Sequence, residues 1–449
     1  MDKGTAEFTI KDILTTEVAP ALGCTEPVAI ALGGAAAAAM VKGQPIEKIE
    51  IWVDSNIYKN GIAVAIPGTG GLNGLDLASA LGALVGDPAQ RLEVLQPIND
   101  EAVRRARRLI DDGKVAVNLL AERKGLYIRT IVQTRTQTAE SVIQDLHDNI
   151  VSLKLDGREV MEGSLAAVTT GGGDKTRLQQ IESWLKSLPL SSLIALLDGL
   201  DEEDYDFLEE GVCTNMALAE YGLKYGSGLG IGKTLDRLTR QRLIQRDMIL
   251  SARILTAAAS DARMAGVPLP AMSSAGSGNH GLTATLPIWA VKDYVTTDAQ
   301  SVLKSIALSH VVTAYVKAFT GRLSAVCGCS VAAGAGATAG VTYLLGGDLR
   351  HIAGAITNLT VDLAGVICDG AKAACSLKLA TAAGTAVQAA LFALQGVQVQ
   401  ATDGIAAASA EQTMQNVGVL SNQGMIETDR TILKIMLEKK FSSISAADG

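Results

Sequence analysis

Two cysteine-bearing segments, Ser324-Ala-Val-Cys327-Gly-Cys329-Ser330 and Cys368-Asp369-Gly-Ala-Lys372-Ala-Ala-Cys375-Ser376, decide how this chain is organised. They hold four of the six cysteines and interrupt an apolar helical pattern that is rich in alanine and glycine. Aromatic residues make up only 4% of the chain. We therefore expect a tight helical body in which helix backbones approach one another closely.

The spacing of these cysteines is unlike that of common small metal sites. It runs Cys-x-Cys, then 38 or 40 intervening residues, then Cys-x6-Cys, whereas zinc ribbons use pairs of C-x2-C and ferredoxins use C-x2-C-x2-C. Three thiolates brought together by folding could hold a [4Fe–4S] cluster and leave one iron open as a Lewis acid. Alternatively, the cysteines fill the core as small apolar residues. The spacing leaves both interpretations open.

Length and charge limit the classes of function. The 449 residues suffice for two or three domains. A net charge of −8 without a basic tract argues against a nucleic-acid partner. The N-terminal residues lack the apolar segment of a signal peptide, so we expect a cytoplasmic protein.

Two long segments carry no charge, between Arg322 and Asp348 and between Lys378 and Asp403. Their length would allow a membrane span. They consist mainly of small residues with few leucines or isoleucines, which favours buried helices of a soluble bundle over lipid-facing ones. We expect no membrane partner.

The N-terminal region predicts two helices around a cysteine. Residues 8–18 form a short amphipathic pattern that Pro20 ends, and an uncharged helix runs through Met40. Thr25 is the expected cap of this second helix, so that Cys24 would lie at the positive end of its dipole with a lowered pKa. A cysteine in this position can also be unreactive.

From residue 46 the pattern becomes that of an α/β module. Strands are predicted near 46–53, 61–66, 114–120, 126–134, 138–146 and 149–156, with helices near 74–86 and 99–112. A polar segment, residues 54–60, separates the first two strands. Two glycine-rich loops, 68–71 and 169–175, are either plain turns or cradles for an anion.

After Lys175 the pattern is helical, apart from the cysteine segments and the polar loop Ser273–Gly281. This loop offers many donors to the carboxylate of a small zwitterion, or else caps a helix. The loop also resembles the Ser-x-Gly-Asn-His stretch of pyridoxal-phosphate eliminases, but we do not find their Schiff-base lysine segment or their phosphate-binding glycine run. His280 outranks His147, His310 and His351 because it alone lies in a polar loop beside glycine.

Four motifs together resemble the L-cysteine desulfidases, distant relatives of the iron–sulfur L-serine dehydratases. They are residues 21–29 (ALGCTEPVA), 54–60 (DSNIYKN), 277–281 (SGNHG) and 368–375 (CDGAKAAC). The resemblance covers essentially the whole chain. It implies an α+β fold with a mainly helical catalytic domain of the serine-dehydratase alpha type (1–45 plus 170–449) and an inserted α/β domain (46–169). It also implies conversion of L-cysteine and water to pyruvate, ammonia and hydrogen sulfide, without pyridoxal phosphate.

The resemblance also implies roles for individual residues. Cys368 and Cys375 match two cluster ligands, and Gly328-Cys329 matches the third, with Cys327 as the alternative. Cys24 matches an N-terminal cysteine that serves in acid/base chemistry or occupies the fourth iron, and His280 is the second catalytic candidate. Independently of the resemblance, the polar side chains supply candidates for binding substrate: Glu26, Asn56, Lys59, Asn60, Ser273, Ser274, Ser277 and Asn279.

Three classes of function remain in play at the level of sequence. The first is an iron–sulfur lyase acting on L-cysteine, or on L-serine as a near variant. The second is a pyridoxal-phosphate eliminase, and the third is a non-catalytic thiol-rich sensor or structural metal protein. The sequence leaves the oligomeric state open, with a homodimer as one option.

Overall fold

The computed structural model describes residues 8–123, 125–160, 175–321 and 324–439. The predicted glycine-rich loop at 169–174 lies outside these residues. Helices dominate and accompany a mixed sheet, which confirms the α+β class. The inserted nature of the α/β part stays a prediction.

The first third of the chain contains helices, a short strand β1 and the six strands β2 to β7, which form one sheet. Its elements are α1 (Ile10–Glu17), β1 (Pro20–Leu22), α2 (Thr25–Met40), β2 (Lys48–Asp54), α3 (Ser55–Gly61), α4 (Leu75–Val85), α5 (Asp100–Asp111), β3 (Val115–Leu120), β4 (Tyr127–Gln133), β5 (Thr138–Gln144), β6 (Ile150–Leu155) and β7 (Arg158–Glu159).

The sheet has the order β3-β2-β4-β5-β6-β7, in which only the β2–β3 pair is parallel. Both α2 and α4 share its apolar core. A Cβ on Gly82 of α4 would lie 2.0 Å from the carbonyl oxygen of Ala31 in α2, so these backbones are in direct contact. The predicted domain boundary at residue 45 assigns α2 to the helical part, whereas the structure buries α2 against the sheet.

One predicted strand is wrong. Residues 61–66 do not form a strand, because the polar segment before them is the helix α3. Asp54 caps this helix, since its Oδ1 accepts hydrogen bonds from the amides of Asn56 at 2.8 Å and Ile57 at 3.3 Å. The capping aspartate turns the chain at the end of β2 and places α3 at the edge of the sheet.

The rest of the chain forms a helical body with one short strand. Its elements are α6 (Lys175–Ser187), α7 (Leu190–Ala195), α8 (Glu202–Tyr225), α9 (Ile231–Arg240), α10 (Met248–Met264), β8 (Pro270–Met272), α11 (Gly278–Val291), α12 (Ala299–Thr320), α13 (Ala332–Leu344), α14 (Leu349–Leu363), α15 (Cys375–Leu394), α16 (Ala410–Val419) and α17 (Ile426–Glu438).

Small residues let these helices pack backbone to backbone, as the composition predicts. A Cβ on Gly336 or Gly340 of α13 would lie 2.3 Å or 2.5 Å from a carbonyl oxygen of α12. Of the described helices, α12 and α15 are long and apolar enough to cross a membrane. Most of α12 and more than half of α15 are buried inside the protein, which favours their interpretation as core helices of the bundle.

Candidate functional site

A cavity of about 380 Å³ lies where the α/β part meets the helical body. Among the residues that line it are Cys24, Glu26, Asn56, Asn60, His147, Arg263, Ser277, Asn279, His280, Lys317, Cys327, Cys329, Cys368, Cys375 and Lys378. Chain segments that are far apart in sequence therefore converge on one site. Both candidate catalytic residues, all four cysteines of the two segments and most of the predicted substrate-binding residues are present.

A two-stranded sheet brings Cys24 close to the polar loop. Strands β1 and β8 pair antiparallel, with Pro20 opposite Met272 and Leu22 opposite Pro270. The chain leaves β1 towards Cys24 and leaves β8 towards Ser277. The pairing ties the N-terminal segment to the helical body, and both Cys24 and Ser277 line the cavity.

The two cysteine segments are joined by their backbones. Val326 and Ile367 form an antiparallel bridge, in which the amide of Cys327 donates to the carbonyl of Val366 at 2.8 Å and the amide of Cys368 donates to that of Ala325 at 2.7 Å. The thiols of both segments consequently face one cavity. This bridge is the tertiary contact that the spacing of the cysteines could not show.

Within the described ranges the six cysteines are free thiols. The thiols of Cys327 and Cys329 hydrogen-bond to each other, which lowers the pKa of Cys327 to about 6 and raises that of Cys329. Burial raises the pKa of Cys375 to about 12 and also raises that of Cys368. The amide of Lys372 donates to Sγ of Cys375 at 3.4 Å.

This set of donors fits an iron–sulfur cluster better than a single ion. No three His, Cys, Asp or Glu side chains in the described part of the chain are grouped closely enough to hold one metal ion. Four thiols nevertheless line one cavity, and thiolates are the usual ligands of iron–sulfur clusters, which are much larger than an ion. The Lys378 ammonium acts to lower the pKa of Cys327 and of Cys375, which favours the thiolate form that binds iron.

The expected thiolate character of Cys24 is wrong for this structure. Cys24 itself occupies the cap position of α2, its thiol makes no capping hydrogen bond, and Thr25 is the first helical residue. Burial raises the pKa of Cys24, and the nearby carboxylate of Glu26 raises it further, while the Arg263 guanidinium acts in the opposite direction. Desolvation of the thiolate outweighs the helix dipole here.

His280 is held as a neutral imidazole. Its Nδ1 lies 3.2 Å from the carbonyl oxygen of Ser274, which can only accept, so Nδ1 carries the proton and Nε2 is free of it. Burial lowers the pKa of His280 to about 3, and the charge of Lys317 adds to the effect. The site therefore holds an unprotonated ring nitrogen beside the cysteines.

The polar loop contributes only part of its predicted set. Ser277 and Asn279 line the cavity. Ser274 is fully buried and its Oγ lies 2.9 Å from Nδ1 of His310, while Oγ of Ser273 accepts from the amide of Ala19 at 3.3 Å. These two serines hold the loop in place and do not line the cavity.

The helix α3 also contributes only some of its predicted residues to the cavity. Asn56 and Asn60 line the cavity, and Nδ2 of Asn60 donates to Oε1 of Glu26 at 3.0 Å. Lys59 does not line it. Its buried ammonium pairs with Asp429 of α17, and its carbonyl oxygen accepts from Nζ of Lys372 at 2.9 Å. Lys59 therefore contacts the second cysteine segment through Lys372 and lies outside the lining of the cavity.

Glu26 is ionised despite being buried. Desolvation opposes ionisation, but the nearby His147, whose Nε2 lies 3.9 Å from Oε1, and the amide of Asn60 together lower the pKa of Glu26. The cavity thus carries a fixed negative charge next to Cys24. His147 belongs to the site although its sequence context ranked it below His280.

Three basic residues of the cavity were missed at the level of sequence: Arg263, Lys317 and Lys378. Arg263 and Lys317 lie in apolar helices and are nearly fully buried. A charged residue within such a helix was the available signal, because buried charges are rare unless they are paired or functional.

Comparison with known proteins shows which family the chain belongs to. The pattern of the serine dehydratase alpha chain family matches residues 90–434. The chain is 65% identical to a UPF0597 protein of Desulfatibacillum aliphaticivorans over 97% of its length and 99% of the relative. It is 42% identical to one of Clostridioides difficile over 95% of its length and 98% of the relative. The chain therefore belongs to the serine dehydratase alpha chain family, together with its UPF0597 relatives.

Proposed function

We propose that this protein is an L-cysteine desulfidase that eliminates hydrogen sulfide from L-cysteine. One observation carries the proposal: a single cavity holds Cys24, a neutral His280 and the thiols of both cysteine segments. The overall reaction converts L-cysteine and water to pyruvate, ammonia and hydrogen sulfide. Family membership supports a lyase or dehydratase, and the step to cysteine as substrate is ours.

Cys329, Cys368 and Cys375 would hold a [4Fe–4S] cluster. All three line the cavity, and the backbone bridge between residues 326 and 367 fixes their segments relative to each other. When bound, such a cluster supplies a soft Lewis acid that favours departure of a thiolate. Cys327 hydrogen-bonds to Cys329 and is the alternative third ligand.

The elimination also needs groups that carry protons. A proton must leave the α-carbon of cysteine, and the enamine that forms when the carbon–sulfur bond breaks must gain a proton at its β-carbon before the imine hydrolyses. Nε2 of His280 is an unprotonated acceptor, and Sγ of Cys24, with its raised pKa, holds a proton. Both kinds of group are therefore present in the cavity.

The remaining polar side chains of the cavity suit a small zwitterion. Glu26 offers a carboxylate, and Asn56, Asn60, Ser277 and Asn279 offer neutral donors and acceptors. We propose that they enclose the substrate, and that the protein acts in the cytoplasm without a nucleic-acid or membrane partner. Dehydration of L-serine is the second candidate function, because the family that matches is named for that activity.

Anaerobic purification followed by an absorption spectrum, iron analysis and product assays tests the proposal. We expect a broad violet-to-brown absorption, sulfide and pyruvate in equal amounts from L-cysteine, and loss of activity in air that iron(II) and thiol reverse. A discrete aldimine band with undiminished turnover in a cluster-free sample would indicate pyridoxal phosphate. Iron without turnover of either amino acid would indicate a sensor or structural protein.

A further inference from the structure

Arg263 of α10 is a buried cation without an acidic partner among the described residues. Only 2% of it is exposed. Its Nη1 donates to Oδ1 of Asn279 at 3.0 Å, and its Nη2 donates to the carbonyl oxygen of Gly23 at 2.6 Å. Both acceptors are uncharged, so that no carboxylate neutralises the guanidinium in this part of the protein.

The guanidinium also has hydrogen-bonding capacity to spare. It carries five N–H groups, of which these two bonds use two, and Nε is buried without a partner. Leaving a buried charge uncompensated is costly, and proteins retain such charges mainly where a ligand completes them. Because Arg263 lines the cavity, the missing partner can be a molecule bound there.

The guanidinium of Arg263 packs against Gly278, which has no side chain. A Cβ on Gly278 would lie 2.4 Å from Nε, so that any side chain at this position would push the guanidinium away. Arg263 also connects the turn that carries Cys24 to the loop that carries His280, through Gly23 and Asn279. A ligand group bound by Arg263 is therefore held between the two candidate catalytic residues.

Two charges of opposite sign flank Cys24. Glu26 follows Cys24 by two residues and lines the cavity, and the Arg263 guanidinium donates to the carbonyl oxygen of Gly23, the residue before Cys24. An α-amino acid bound with its carboxylate towards Arg263 and its ammonium towards Glu26 would present its α-carbon between the two charges, near Cys24. This arrangement complements a zwitterion better than it complements a simple anion or a simple amine.

We propose that Arg263 binds the α-carboxylate of the amino-acid substrate, with Glu26 as the partner of its ammonium group; this rests on the proposed function insofar as the substrate is an amino acid. The guanidinium is a strong ligand for a carboxylate because it can donate two parallel hydrogen bonds. It selects amino acids over their amides and over simple amines.

Equilibrium binding to the anaerobically purified full-length protein tests this inference. The probes are L-alanine, which is cysteine without its leaving group, propionate, which lacks the ammonium, and L-alaninamide, which lacks the carboxylate. The variants are Arg263→Lys and Asn279→Asp, the second of which supplies an internal carboxylate next to Nη1 at nearly unchanged volume. Arg253→Lys is the matched control, because Arg253 lies on the same helix and does not line the cavity.

We expect both variants to bind L-alanine and propionate at least about tenfold more weakly, with L-alaninamide unchanged, a shift that corresponds to about 1.4 kcal/mol. The control variant should match the wild type. An equal loss for all three probes in both variants would show that Arg263 only holds the loops together and would overturn the inference. Unchanged binding of L-alanine would overturn it as well. If Arg263→Lys does not fold, binding of the three probes to Asn279→Asp still tests the inference.

Failure of this inference and failure of the proposed function give different results. Binding of L-alanine that depends on Arg263, in a protein that releases no sulfide from L-cysteine, would retain the carboxylate site and reject the function. Release of sulfide with an unchanged KM in Arg263→Lys would reject the site and retain the function.

Discussion

The imidazole of His280 lies against the backbone of Gly328, at the place where any other residue would carry its side chain. A Cβ built on Gly328 would lie 2.4 Å from Nε2 of His280. The residue between the two neighbouring cysteines is therefore small because the histidine occupies the adjacent space. This contact joins the polar loop to the first cysteine segment.

Gly328→Ala should displace the imidazole and lower turnover of L-cysteine by about 10-fold to 100-fold, since a misplacement of about 1 Å at a reacting centre has effects of this size. Gly365→Ala is the matched control, because a Cβ there meets nothing within 4 Å. Turnover and melting temperature should be measured on both variants. Wild-type turnover in Gly328→Ala would show that the position of His280 is not important for the reaction.

Removal of any one thiol ligand should abolish retention of iron. We expect Cys329→Ala, Cys368→Ala and Cys375→Ala each to lose iron and inorganic sulfide after anaerobic purification. Three thiolates already leave one iron of the cluster without a protein ligand, so removal of another thiolate should release the cluster. Cys213→Ala, which removes an exposed cysteine that does not line the cavity, should keep both. A full cluster in Cys329→Ala together with its loss in Cys327→Ala would exchange the roles of these neighbours.

Local patterns in the sequence predict most of the elements but little of how they meet. The helix before Cys24 and the strands 115–155 follow from periodicity and turn residues. Residues 61–66 alternate like a strand, yet the helix α3 that Asp54 caps extends to Gly61, and residues 62–66 form a loop. The pKa of Cys24 could not be predicted, because the helix dipole is readable from sequence while burial by distant segments is not. Arg263 carries a signal in the sequence, a charge within an apolar helix, but its partners Gly23 and Asn279 come from distant segments.

The C-terminal helix supports the site through one buried ion pair. Lys59 is 2% exposed and pairs with Asp429, so Asp429→Ala should leave its ammonium buried and uncompensated and lower the free energy of unfolding by about 3 kcal/mol. Denaturant unfolding measures this. Replacing both partners with Lys59→Met and Asp429→Leu should restore most of the stability. The exposed neighbour Arg430 is the control, and an equal effect of Arg430→Ala would show that the buried ammonium of Lys59 is not the cause of the loss.

Stability should depend on pH through Asp54. Burial raises the pKa of Asp54 to about 6, from an ordinary value of 3.8. A raised pKa in the folded state means that folding favours the protonated form, so this contribution to stability is present at low pH and is lost as pH rises through about 6. Relative to Asp54→Asn, the wild type should lose about 1 kcal/mol between pH 5 and pH 8. A difference that stays constant over this range would show that the pKa is not raised.

If this cavity carries out elimination and does not merely hold thiols, Cys24→Ala should separate turnover from retention of the cluster. Cys24 is buried in the cavity and we assign it no part in holding the cluster. Sulfide release from L-cysteine and iron content should be measured on the same anaerobic preparation. We predict wild-type iron content with sulfide release reduced by about 100-fold or more, as expected for a positioned acid/base group. Unchanged sulfide release with a normal iron content would show that Cys24 is only a core residue and takes no part in the elimination.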